Sequence, residues 1–166
     1  MTAPATRPNL TAGVLAAIAG ALVGAVAWAV LVFVTDYKIG FAAVGVGALA
    51  GYLAGRVGGG APQLPVIAAV IGLLGCVAGD VFIASHALAE VSGLSSFTLL
   101  TSHTRIVWEV YKEEFDVLTL VFYGIAASAA FRLAKAHGLA HQLQQQPEAA
   151  TEAAPPAAEP EPEPQP

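Results

Sequence analysis

Charge is what this sequence has least of. Only 11% of its 166 residues are Asp, Glu, Lys or Arg, against about 25% in an ordinary soluble domain. Apolar types make up 56%, there are 17 glycines besides, and the mean hydropathy is +0.67. A soluble fold of this size has too little interior to hide so much apolar surface, which argues against a globular cytoplasmic enzyme. A basic excess is missing as well. The net charge is −5, and the twenty residues from Pro147 to Pro166 hold five acids and no base, leaving seven of each sign elsewhere. Nothing in that balance attracts a phosphate backbone, so no nucleic-acid partner is expected. Cysteine is nearly absent. Cys76 alone excludes an intrachain disulfide or a zinc ribbon and reads as a small core residue. No nucleophile–base–acid set is present. Gly58-Gly59-Gly60 lacks the Lys-Ser/Thr of a phosphate loop and reads as a hairpin turn. The expectation is no catalysis, no cofactor and no metal.

What is present is a series of long uncharged runs. Thr11 to Thr35 carries no charge, and neither does anything between Arg7 and Asp36. As a helix, that run exceeds the ~30 Å hydrocarbon core of a bilayer. Ala25-Val26-Ala27 imitates a signal cleavage site, but apolar character continues to Val34, past a signal core, and the run reads as a span. Ile39 to Gly55 is a second run of seventeen residues between Lys38 and Arg56. A third starts behind Pro62 and Pro65, which suit the first turn of a helix, and continues to Ser85. A fourth covers the fifteen residues between Asp116 and Arg132, too short unless it starts earlier. Arg132 and Lys135 can snorkel from its far end.

The expected fold is all-α, a four-transmembrane-helix bundle with spans at about 11–35, 39–57, 65–85 and 113–135. Residues 1–10 form a flexible leader, and residues 142–166, rich in Pro, Glu and Ala, a disordered tail. Between spans three and four lies an external segment. Its first part, VSGLSSFTLLTS, has no clear period and is expected to cap the bundle. The following TSHTRIVWEVYKEEF is amphipathic, with Ile106, Val107, Val110 and Tyr111 at helical spacing. Arg105, Glu109 and Lys112 are spaced for charge pairs, and Trp108 and Tyr111 are suited to anchor at a membrane interface. This reads as an interfacial helix that can run on into span four. Arg56, Arg132 and Lys135 fall beside span ends on the side of the termini, which places both termini in the cytoplasm of a plasma (inner) membrane.

Helices in lipid associate through close contact over small residues, and each span supplies them. Gly20 and Gly24 follow Ala12 and Ala16 at four-residue intervals. Gly47, Gly51 and Gly55 follow Ala43 at the same interval. Span three has Gly72, Gly75 and Gly79, and span four Gly124 and Ser128. The stripes predict close backbone approach, above all between spans one and two. They leave open whether a spare stripe forms a homo-oligomer.

The stretch GFAAVGVGALAGYLAGRVGGG resembles the glycine-rich second helix and basic turn of a family of small bacterial inner-membrane proteins of uncharacterised function. Phe115-Asp116 ahead of VLTLVFYGIAASAAFRLA is similar to that family's last helix, which opens on an aromatic-Asp pair. The likeness covers roughly residues 10–136. It implies a four-helix architecture and an inner-membrane location, and carries no activity.

Asp80 is the one acid inside a span. A carboxylate in a membrane is costly and marks a candidate site, here an ion pathway. It lies about 22 Å along its helix from Pro65 and flanks the Gly72–Gly79 stripe, so it should face a neighbouring helix. The alternative is a structural acid hydrogen-bonded near the outer interface. His137 and His141 share a helix face without a nearby third ligand. His86 with Glu90, and His103 with Glu109, Glu113 and Glu114, form an external charged surface. The functional expectation is a non-catalytic membrane scaffold or accessory component. It would face the lipid bilayer and either a membrane-protein partner or further copies of itself. The alternatives are a small oligomeric channel or transporter using Asp80, and, less favoured, an enzyme built on the external His/Glu group.

Overall fold

A computed structural model describes residues 8–35 and 40–152. The expected leader up to Arg7, residues 36–39 and the tail beyond Glu152 lie outside the described residues. Within them the chain forms six helices and no strand: α1 (Leu10–Thr35), α2 (Phe41–Val57), α3 (Leu64–Ser92), α4 (Ser96–Ser102), α5 (Thr104–Glu114) and α6 (Val117–Glu152).

Local chemistry sets the boundaries. The Asn9 side chain caps α1 by accepting from the Ala12 N–H at 3.0 Å. The turn after α2 has Gly59 and Gly60 at φ of 61° and 84°, a region that side chains with a Cβ avoid. Pro65 sits in the first turn of α3, where its missing N–H costs nothing. That helix runs seven residues past the expected end at 85, because His86 to Ser92 contains no breaker, and stops at Gly93 in the left-handed conformation. Ser95 caps α4, accepting from the Thr98 N–H at 3.1 Å. The expected start of span four at 113 is corrected: Phe115 is extended, Asp116 caps a new helix, and α5 and α6 are separate. At its other end α6 continues to Glu152, past the boundary drawn at 141.

Three helical stretches, Leu10–Thr35, Leu64–Ser92 and Val117–Ala140, are long and apolar enough to cross a membrane, while α2 is apolar but shorter, with 17 residues. At 1.5 Å per residue α2 measures about 26 Å. It is the central helix, packed on α1, α3 and α6. Helices α1, α2 and α3 alternate in direction, and α6 runs parallel to α2. At one end the Asn9 N–H donates to the Gly58 carbonyl at 3.2 Å, and Gly13 lies against Leu64. At the other, Phe33 meets Phe82 with ring centroids 6.0 Å apart, and Phe41 meets Phe122 at 5.2 Å.

Small residues make the contacts, but the pairing of stripes is decided by the whole. Gly20 and Gly24 of α1 do press on α2: a Cβ at either would sit 2.9 Å from the Cα of Ala50 or Val46. The stripe Gly47–Gly51–Gly55 points elsewhere, onto Ala126, Ala130 and Ala134 of α6. Gly72 meets Gly47, Gly75 meets Ala21, and Gly79 meets the Trp28 ring. Gly124 and Ser128 do not take part. Gly124 has open space where a Cβ would be, and Ser128 is exposed and donates to the Gly124 carbonyl at 2.8 Å. The packing face of α6 is the alanine ladder instead, whose backbone lies directly against the α2 glycines. Gly124→Ala and Gly45→Ala, both in open space, should leave the Tm in detergent unchanged or raise it slightly through helix propensity. Gly47→Ala should lower it.

The connection between α3 and α6 folds back along α3. Leu99 of α4 and Val107 and Tyr111 of α5 pack with Ala84 against Val77, Val81 and Leu88. Tyr111 is therefore 7% exposed and belongs to the interior, while Trp108 keeps 46% of its surface open. Ile106 is half-exposed, so the buried face of α5 is narrower than the sequence period suggested.

Candidate functional site

Asp80 is 1% exposed and faces α6. The Tyr123 hydroxyl donates to its Oδ2 at 2.5 Å, in the range of a charge-assisted bond. Tyr123 is 6% exposed and lies six residues into α6, about 9 Å from its start. Trp28 of α1, 4% exposed, comes to the same level, its ring laid over Gly79. A Cβ at Gly79 would be 3.1 Å from Trp28 Cε3, so a larger residue there would push the indole away. The indole Nε1 is buried without a hydrogen-bond partner among the described residues, an arrangement native proteins rarely leave unfilled. One turn before Asp80, the Cys76 thiol donates to the Ala43 carbonyl at 3.4 Å.

Trp28, Asp80 and Tyr123 line a cavity of about 380 Å³. Gly40 ahead of α2, Ala43 of α2 and Leu118, Thr119 and Phe122 of α6 complete its wall, with Asp116 at the α6 start. An aromatic series leads from α5 to Tyr123: Trp108–Tyr111 at 5.1 Å, Tyr111–Phe115 at 5.8 Å and Phe115–Tyr123 at 6.0 Å. Tyr111 lies within polar range of Tyr123, so α5 as well as α3 bears on that phenol.

Asp116 holds the first turn of α6. Its Oδ1 accepts from the Thr119 N–H at 2.7 Å and from the Thr119 hydroxyl at 2.8 Å, and these bonds hold its carboxyl below the usual range. A carboxyl whose pKa falls on folding adds stability above its unfolded pKa and loses it as pH drops through the folded one. The first turn of α6 should thus fray on acidification through and below the ordinary carboxylate range. Asp116→Asn, which caps without titrating, should remove that dependence and leave neutral-pH stability nearly unchanged. Amide exchange at Thr119 and Leu120 against pH measures it, and an unaltered acid transition in the variant would contradict the assignment.

The other sequence candidates are not drawn into this site. His86, half-buried, and Glu90, exposed, approach at 3.8 Å, with the imidazole 4.0 Å from the Phe33 ring centroid. His103 is exposed, and Glu109 pairs with Lys112 at 2.9 Å. His137 Nδ1 lies 2.9 Å from the Leu133 carbonyl and its ring meets Tyr52 edge-on, while the His141 side chain is outside those described. Among the described residues no group of three or more His, Cys, Asp or Glu comes together to hold a metal. Sequence reading missed Trp28 and Tyr123. A signal was there: both carry a polar tip inside an apolar run, at matching depth, seven residues before the end of α1 and six after the start of α6. No known family, curated protein or solved structure matches this chain.

Proposed function

We propose that the chain is a non-catalytic integral membrane protein whose four spans are α1, α2, α3 and α6, serving as a scaffold or accessory component for a membrane partner or for further copies of itself. The observation that carries this reading is the outward face of the long helices. Leu15, Leu22 and Val26 on α1, Val66 and Leu74 on α3, and Leu118 and Leu120 on α6 are all more than half exposed. Water would not tolerate that surface, whereas lipid is its natural solvent. The inward faces are Gly and Ala, as expected where association depends on close contact. The end carrying Arg56, Arg132 and Lys135 is the cytoplasmic one on this reading, in keeping with the likeness to small bacterial inner-membrane proteins. Reporter fusions after Glu152 and within Ser92–Ser96 check the orientation.

The test is purification in mild detergent at native expression, with mass spectrometry and a native mass. A stoichiometric membrane partner or a defined homo-oligomer supports the reading, and a lone monomer in detergent and in nanodiscs overturns it. Burial of Asp80 beside a cavity favours a second reading, a small channel or transporter. That reading requires ion or solute flux in liposomes, lost in Asp80→Asn while the variant stays folded. No flux from the parent protein removes it.

A further inference from the structure

A second cavity, of about 360 Å³, lies where α3 begins against the late part of α6. Pro65 and Val66 wall it on one side, and Phe131, Lys135 and Leu139 on the other. The turn before α3 touches α6 there through glycine: a Cβ at Gly138 would be 3.1 Å from the Gly60 Cα. Neither glycine has a side chain to fill the space. Lys135 is the one charged residue lining the cavity among those described, and the first turn of α3 has no acid. Its side chain is exposed and forms no ion pair among the described residues. It lies about 27 Å along α6 from Val117, close to the far edge of a ~30 Å hydrocarbon core. Apolar surface leads away from it toward the middle of the bundle, since Val66 and Val70 are more than half exposed and Phe131 is exposed beside them. An occupant that fits brings negative charge for Lys135 and an apolar portion for this strip. That describes an amphiphile, not a soluble anion.

We infer that this groove holds one anionic phospholipid, its phosphate against Lys135 and an acyl chain along Val66, Val70 and Phe131. The inference rests on the reading of α3 and α6 as membrane spans. On that reading the leaflet at this end is the cytoplasmic one, where anionic lipids are found and where basic pockets between spans bind their headgroups. A zwitterionic lipid is disfavoured, because its ammonium would be brought beside Lys135 with no acid among the described lining residues to receive it.

The test is a titration of the delipidated protein in mild detergent with phosphatidylglycerol and with phosphatidylcholine of identical chains, bound lipid being counted by native mass spectrometry. The expected result is one site that prefers phosphatidylglycerol by about fivefold or more, the effect of one lysine at a membrane surface. Lys135→Gln should lose that preference. The exposed position leaves the fold intact, which the Tm without added lipid checks. Arg56→Gln removes a cation from the same end that does not line the groove, and should keep the preference. Glycerophosphoglycerol, the same headgroup without chains, should not compete. Equal binding of the two lipids, equal losses in the two variants, or competition by the chainless headgroup overturns the inference and leaves the spans in place. Release of the protein from membranes by alkaline carbonate overturns the span reading, and this inference with it.

Discussion

Gly51→Leu is expected to abolish a stable fold, or to cost at least about 3 kcal/mol where some fold survives, the upper part of the range for overpacked cores. A Cβ at residue 51 would lie 2.6 Å from the Ala130 Cα and closer still to the Ala130 carbonyl oxygen. Both are backbone atoms of a helix, so nothing flexible can give way. Relief requires α2 and α6 to separate, and with them the neighbouring contacts at Gly47 and Gly55. Thermal unfolding in detergent measures the loss, and a disulfide cross-link engineered between α2 and α6 should form less readily in the variant. Gly45→Leu is the matched control, since a Cβ there meets nothing within 4 Å. Wild-type stability for Gly51→Leu would mean that the two helices do not touch through backbone. A loss confined to the α1–α2 contact would mean that the stripe faces the other neighbour.

The second large effect concerns Asp80 and Tyr123. Tyr123→Phe removes the 2.5 Å hydrogen bond to a buried carboxyl and should cost about 1–3 kcal/mol, the penalty for breaking a buried polar pair on one side. Asp80→Leu should cost a similar amount, because it strands the phenol among apolar neighbours. The double variant should recover much of the loss, since replacing both partners by apolar groups of similar shape is close to neutral. A double-mutant cycle read by thermal unfolding then gives a coupling of about 1–3 kcal/mol. Additive single effects would show that the bond contributes nothing.

Both effects depend on depth along the helices. Trp28, Gly79, Asp80 and Tyr123 meet because α1 and α3 run one way and α6 the other, bringing the late part of two helices beside the early part of the third. The break at Phe115–Asp116 matters for the same reason. Had α5 continued into α6, Tyr111 would lie on the axis of α6 and could not pack across it toward Tyr123. The Asp116 cap thus does two things: it starts α6, and it leaves α5 free to fold back on α3.

The all-helical character and the position of each long helix were legible in the residues themselves. Uncharged runs bounded by Arg, Lys, Asp, Gly and Pro leave the backbone no way to satisfy its hydrogen bonds in an apolar setting except a helix. Glycine turns and proline starts then set the ends of α1 and α2 and the start of α3 to within a few residues, whereas α3 and α6 run well past the ends expected for them. That Asp80 would face a neighbour could be argued from its place beside the Gly72–Gly79 stripe. Which neighbour it meets was decided by the tertiary structure alone. A helical period gives the angle of a residue on its own helix but not the partner at that angle, and α2 carries small residues on more than one side. Gly47, Gly51 and Gly55 face α6, while Val46 and Ala50 face α1. The use of alanines over Gly124 and Ser128, the seating of Trp28 on Gly79 and the hydrogen bond from Tyr123 to Asp80 all follow from that choice. They are contacts between residues far apart in the chain, and only the packed helices bring them together.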